Sequence, residues 1–308
     1  MAIELGRNQY GKAETRVVRI NRDTLRHEIR DLNVTTTLRG DFTDAHTRGD
    51  QARVLPTDTQ KNTCFAYAKE KGVGEIEEYA LALARHFVDD IEPVSAARVE
   101  VDEYGWERVR VGGEDHPHTF ARTSGAVRTT AVTVAGQDGA GEEPGQRAWI
   151  VSGLKDLVLL KSTGSEFSGF LKDPYTTLTE TSDRILATSL IARWRYESPV
   201  RLTGWDEAYA QIRQILLERF ATVHSLALQQ TLWEMGRGVL EAREDVAEIR
   251  LSAPNRHHFL ADLAPFGVDN PGEVFYAADR PYGLIQCAVQ RDDAADPGPA
   301  WDSPAAFA

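Results

Sequence analysis

Four stretches of this 308-residue chain set proton-handling or anion-binding side chains close together. The first is Tyr10-Gly11-Lys12, just ahead of a run rich in β-branched residues. A lysine amine is a base once burial strips its proton, and otherwise a solvated cation. The second is VLPTDTQKNT, Val54 to Thr63, where the hydroxyls of Thr57, Thr59 and Thr63 surround Asp58. Such groups accept bonds from the free amides at a helix start, so Thr57, Asp58 or Thr59 is expected to cap one. Capping accounts for one of them and leaves the others over.

The third stretch, GSEFSGFLKDPYTTLTETSDR at 164–184, mixes aromatic residues and turn formers and ends on Asp183-Arg184. A planar guanidinium matches a flat anion, although an adjacent Asp-Arg also reads as a surface charge pair. The fourth is APNRHHF, 253–259. Asn255 and His257 are two apart, so on a strand they share one face. An amide beside an imidazole handles a proton and holds a small polar ligand, or it serves a turn after Pro254.

Metal chemistry has weaker support. His116 and His118 in HPH, with His257 and His258, match no zinc-ligand spacing, and HPH reads as a turn, so no metal site is expected. There is no phosphate-binding loop or dinucleotide glycine fingerprint, and GVGE at 72–75 reads as a helix-to-helix turn.

The formal charge of -12 argues against nonspecific nucleic-acid binding and against docking on anionic membranes. Cys64 and Cys287 are the only cysteines, too few for a disulfide framework, which favours a reducing compartment. The N-terminus lacks a signal-peptide core, and LVLL at 157–160 is too short to span a bilayer.

The elements that must position these residues read as a repeat. Thr15 to Ile20 is β-branched, and Leu32, Val34, Thr36 and Leu38 alternate as one face of a strand does. Two helical stretches follow, the second marked by Ile76, Tyr79, Ala80, Leu83 and Phe87 at helical spacing. Ala97, Val99 and Val101 then alternate, with further strand signals near Thr119 and over Val127 to Val134. GQDGAGEEPGQ at 136–146 reads as an exposed loop.

The order recurs after it. Leu157–Lys161 and Arg184–Tyr196 are extended. Trp205, Ala208, Ile212, Ile215, Leu216 and Phe220 mark one helix, and Leu228, Leu232, Met235 and Val239 another. Ala247, Ile249 and Leu251 alternate, as do Ile285, Cys287 and Val289. The last residues, 292–308, read as a disordered tail. The class is α+β: antiparallel sheets with paired helices on one face, in modules at 1–138 and 139–291. The open edges of such sheets are covered if several close into a barrel across subunits, so an oligomer is expected.

Taken together these stretches resemble the urate oxidase (uricase) family. The likeness runs from YGK to GLIQC at 283–287. It includes TDTQKNT, HPHTF at 116–120, LKSTGSEFSGFLKDPYTTL at 160–178, DRILAT at 183–188, QQTLWEM at 229–235 and PNRHHF. It implies two tandem T-fold modules and a homotetramer around a central tunnel, with active sites between subunits. The implied reaction converts urate, dioxygen and water to 5-hydroxyisourate and hydrogen peroxide, with no metal and no organic cofactor.

Position by position, the resemblance puts a proton relay on Lys12, Thr57 and His257. Asp58 offers a backbone amide to the substrate, Arg184 a bidentate fork and Gln229 its amide. Phe167 stacks on the purine, and Leu228, Leu178 and Ile285 line the site. Asn255, with Thr57, holds dioxygen or water above the ring. The chain departs from the family's pattern at Ser168 and Ala227, neither of which carries a proton or charge in this scheme. It ends AAFA rather than on a peroxisomal Ser-Lys-Leu type signal, which fits a bacterial cytoplasmic enzyme. Two alternatives are a zinc-dependent T-fold enzyme acting on a pterin or guanine nucleotide, and a purine-binding scaffold without catalysis.

Overall fold

A computed structural model describes residues 2–136, 147–198 and 204–303, without the Asp279 side chain. It divides into two units, each described by itself. One comprises Met1–Gly153, Arg195–Asp206 and Ala295–Ala308, and the other Leu154–Trp194 and Glu207–Ala294. The boundary expected after residue 138 lies outside the described residues; the units part at Gly153, inside a long strand.

In the first unit, β1 (Tyr10–Asn21) pairs with β2 (Glu28–Gly40), β2 with β3 (Val94–Glu103), and β3 with β6 (Val127–Ala135), all antiparallel. A separate hairpin is formed by β4 (Trp106–Val111) and β5 (Glu114–Arg122). HPH therefore sits in a strand, where Pro117 needs no ladder donor, and not in a turn. The expected alternation holds: Leu32, Val34, Thr36 and Leu38 are buried on β2, and Ala97, Val99 and Val101 on β3.

Between β2 and β3 come α1 (Thr43–Arg48), α2 (Thr57–Glu70) and α3 (Ile76–Asp89). At six residues, α1 is too short to show a period, and sequence reading missed it. Ile76, Tyr79, Ala80, Leu83 and Phe87 form the buried stripe of α3. Buried Glu77 pins α3 to the sheet by accepting from Arg128 at 2.7 Å and from Ser152 Oγ at 2.6 Å. Burial raises its carboxyl above the ordinary value against the pull of Arg128.

The second unit repeats the order. Strand β7 (Arg147–Lys161) leads into it, followed by β8 (Leu186–Tyr196), α4 (Trp205–Thr222), α5 (Leu228–Ala242), β9 (Val246–Leu260) and β10 (Phe275–Gln290). The sheet order here is β7-β8-β9-β10, with β9 and β10 antiparallel. Leu228, Leu232, Met235 and Val239 bury one face of α5 against β9 and β10. No helix among the described residues is long and apolar enough to cross a membrane.

The expected disorder of 292–308 is corrected for the described residues. A 3-10 turn at Gly298–Trp301 packs on the first unit, with Ala300 at 1% exposure. Arg98 donates to the Ala300 carbonyl at 3.1 Å, and Arg39 pairs with Asp302 at 2.6 Å. Composition misled here because polar groups already in place on the sheet supply the anchoring, rather than apolar side chains of the segment.

Candidate active site

Tyr10, Gly11 and Lys12 open β1. Tyr10 donates to the Leu55 carbonyl at 3.0 Å and packs edge-on against Phe42 at 4.8 Å, which fixes the chain just before Pro56. Two residues on, the backbone amide of Lys12 faces Thr36 Oγ1 at 3.4 Å. That hydroxyl donates to Gln60 Oε1 at 2.8 Å, deep in the first turns of α2. Buried Thr36 and Gln60 therefore tie the strand carrying Lys12 to the helix that begins at Thr57.

The capping expectation fails. Pro56 is the N-cap residue, and no side chain caps the helix. Asp58 turns outward to Lys61 and, at 3.0 Å, to Asn62, while Thr63 donates back to the Thr59 carbonyl. Bonds from Lys61 and Asn62 hold the Asp58 carboxyl below its usual range. A proline cannot cap with its side chain, so the first amides of α2 stay open to an anion. Thr57 and Lys12 are both half-buried on this part of the unit.

In the second unit, a loop after β7 is folded against the start of α5 by backbone bonds. Ser225 donates to the Gly164 carbonyl at 2.9 Å and Glu166 to the Ser225 carbonyl at 2.8 Å. Phe167 and Thr181 exchange bonds at 2.9 and 3.0 Å, and the Arg184 amide reaches the Ser165 carbonyl at 2.8 Å. This weave brings Phe167, Arg184, Leu228 and Gln229 into one region. The guanidinium of Arg184 stands over the Phe167 ring, 5.2 Å from its centre. Asp183 does not pair with Arg184 and instead accepts from Thr163 at 2.9 Å and from the Gly164 amide at 3.1 Å. Among the described residues Arg184 makes no ion pair, its Nε is buried without a hydrogen-bond partner, and burial pulls its pKa below the ordinary value.

Helix α5 begins at Leu228 after Ala227, again without a side-chain cap. Leu228 is buried and Gln229 exposed at this open end. Asn255 and His257 lie on β9, two apart as expected, paired with Gly283 and Ala278 across a register shift in β10. The His257 ring lies parallel to Phe259 at 5.7 Å. Ile285 pairs with Ala253 beside them. Leu178 is 59% exposed in the loop before Arg184. His116 and His118 are neighbours at 4.5 Å, but among the described residues no three His, Cys, Asp or Glu groups gather as metal ligands.

Sequence reading missed Ser165, Ser225 and Thr231, all fully buried, which brace this wall. A serine just before a helix reads as a cap, so the signal pointed elsewhere.

The family model described as Uricase matches residues 8–133 and 150–286. A uricase of Arthrobacter globiformis is 50% identical over 305 residues, covering 99% of this chain and 96% of its own. The chain belongs to the uricase family. The uricase of Schizosaccharomyces pombe is 35% identical, covering 92% of this chain and 96% of that one. The crystal structure of the Arthrobacter uricase superposes with a TM-score of 0.90 over 98% of this chain and 100% of that one. A Bacillus fastidious uricase structure, 24% identical and covering 93% and 94% of the two chains, shares the fold at 0.80. The uricase match leaves the zinc-dependent pterin or nucleotide enzyme without support.

Proposed function

We propose that this protein is a urate oxidase that binds urate on the wall formed by Arg184, Phe167 and Gln229. The observation carrying this reading is the Arg184 guanidinium, half-buried over an aromatic ring and, among the described residues, paired with no carboxylate. A planar anion lies flat on such a ring and accepts two parallel bonds from the fork. Gln229, at the open start of α5, meets another ring edge with one donor and one acceptor. Leu228 closes the wall by apolar contact, with Leu178 and Ile285 at its margin.

Urate loses a proton to become an electron-rich dianion, which gives electrons to dioxygen and takes up water. The products are 5-hydroxyisourate and hydrogen peroxide. The chain's own task is proton handling. Thr57 transfers the proton, Lys12 in its neutral form makes that hydroxyl competent, and His257 passes it on toward solvent or peroxide. Asn255 and Thr57 hold dioxygen or water above the ring. The Asp58 amide, at a helix start, favours the anionic substrate. Because the substrate supplies the electrons, the reaction needs neither metal nor organic cofactor.

We further propose that the repeated strand and helix order makes two T-fold modules, and that four chains close around a tunnel. The relay of one chain then meets the binding wall of another, so an isolated monomer is expected to be inactive. Two unpaired cysteines suit a cytoplasmic location. The decisive experiment is urate oxidation by protein stripped with a strong chelator. One peroxide released per urate consumed supports the reading, whereas loss of activity restored by a metal ends it.

A further inference from the structure

We propose that Ser225 and Thr231 are positioning residues that hold the urate wall in register; this rests on the binding role given above to Arg184, Phe167 and Gln229. Both side chains are at 0% exposure. The Thr231 hydroxyl lies 2.7 Å from Ser225 Oγ and 3.3 Å from the Ala227 carbonyl. One buried hydroxyl thus joins the residue just before α5 to the loop that precedes it.

That loop carries the other side of the wall. The backbone of Ser225 bonds to Gly164 and Glu166 at 2.9 and 2.8 Å, and the Ser165 carbonyl receives the Arg184 amide at 2.8 Å. Phe167 follows two residues later and is tied to Thr181. Displacement of Ser225 therefore moves Arg184 and Phe167 relative to Gln229 on the helix. Ala227 caps the first turn of α5 with no side-chain bond, so the buried Thr231 hydroxyl joins Gln230, which accepts from the Leu226 amide at 2.9 Å, in fixing its entry. A bidentate contact tolerates little misplacement, so loss of this clamp falls on substrate binding rather than on proton transfer.

The test uses Thr231→Val, which keeps the shape and removes the hydroxyl, with Ser225→Ala as a second variant in case the first folds poorly. Urate affinity is measured anaerobically, where bound urate is not consumed, alongside kcat and KM in air. We expect affinity and KM to weaken about tenfold, the order of one lost buried hydrogen bond. The kcat should change about twofold or less, and Thr231→Ser should restore binding. Unchanged affinity in folded Thr231→Val and Ser225→Ala, even with lower thermal stability, overturns the positioning role. Arg184→Lys, run in parallel, separates the two claims. If it weakens urate while the clamp variants do not, only this inference falls. If Arg184→Lys also leaves affinity intact, the wall itself is misassigned.

Discussion

Arg184 lies over Phe167 at 5.2 Å while the acidic residues closest to them in sequence are turned away. Asp183 is taken by Thr163 and Gly164, and Glu166 by His224 at 2.8 Å. A half-buried cation with its local carboxylates already engaged suits the anion-binding role proposed for Arg184. The aromatic ring beneath fits the proposal that this anion is flat. Replacement of Arg184 by lysine keeps the charge and loses the fork. The KM for urate should rise by roughly ten- to a hundredfold, with a smaller change in turnover of bound substrate. A steady-state profile with an unaltered KM would remove Arg184 from the binding wall.

Lys12 and Thr57 are held to one another's elements by Thr36 and Gln60, so their proposed partnership has a rigid base. The proposed role in proton transfer predicts losses in kcat rather than in binding. Thr57→Val and Lys12→Met should each lower kcat by about a hundredfold, within the range of general acid-base catalysis. Anaerobic urate affinity should stay within a few-fold of the parent. The double variant should be little worse than either single one, because the two groups act as one unit. Full additivity of the losses would mean that they act separately.

The first unit contains a charge cluster with a defined acid response. Asp206 pairs with Arg128 and, at 3.3 Å, with Arg30. Burial pushes its carboxyl up, but the bonds to Arg128 and Arg30 outweigh this and hold it below the ordinary range. A depressed carboxyl contributes stability that is complete above its unfolded-state pKa and is lost as pH falls through the folded-state value. Asp206→Asn should therefore cost stability at neutral pH and flatten the decline below about pH 4. Urea melts across the acid range measure this; parallel curves for parent and variant would contradict it.

How legible this molecule is in its sequence depends on where the ordering force lies. The strands and long helices show because Leu32, Val34 and Leu38, or Leu228, Leu232 and Met235, repeat at the period of the surface they bury. The shared face of Asn255 and His257 on β9, both proposed site residues, shows because they obey the same period of two. Capping by Asp58 does not occur, because side chains three and four residues on draw its carboxylate away, and no local pattern encodes that competition. The weave around Ser225 joins residues some sixty apart and has no local signature at all. The recognition of Phe167, Gln229 and Ile285 came from family resemblance, not from periodicity.

The segment after Arg291 is the clearest case of order imposed from outside, and it reverses what composition suggests about truncation. Arg98 is 5% exposed, and one of its nitrogens reaches both Thr133 at 2.8 Å and the Ala300 carbonyl at 3.1 Å. Arg39 loses Asp302 if the chain stops early, and the Trp149 face loses Gly298, which sits so close that a Cβ there would meet the indole nitrogen at 3.1 Å. Removing residues after Arg291 thus exposes the sheet and takes an acceptor from a buried guanidinium. That should cost on the order of 1–3 kcal/mol. The melting temperature of the protein should drop by several degrees, while catalysis well below the melt survives because no proposed site residue lies in the segment. An unchanged melt would mean that the contacts of Ala300 and Asp302 contribute nothing to stability.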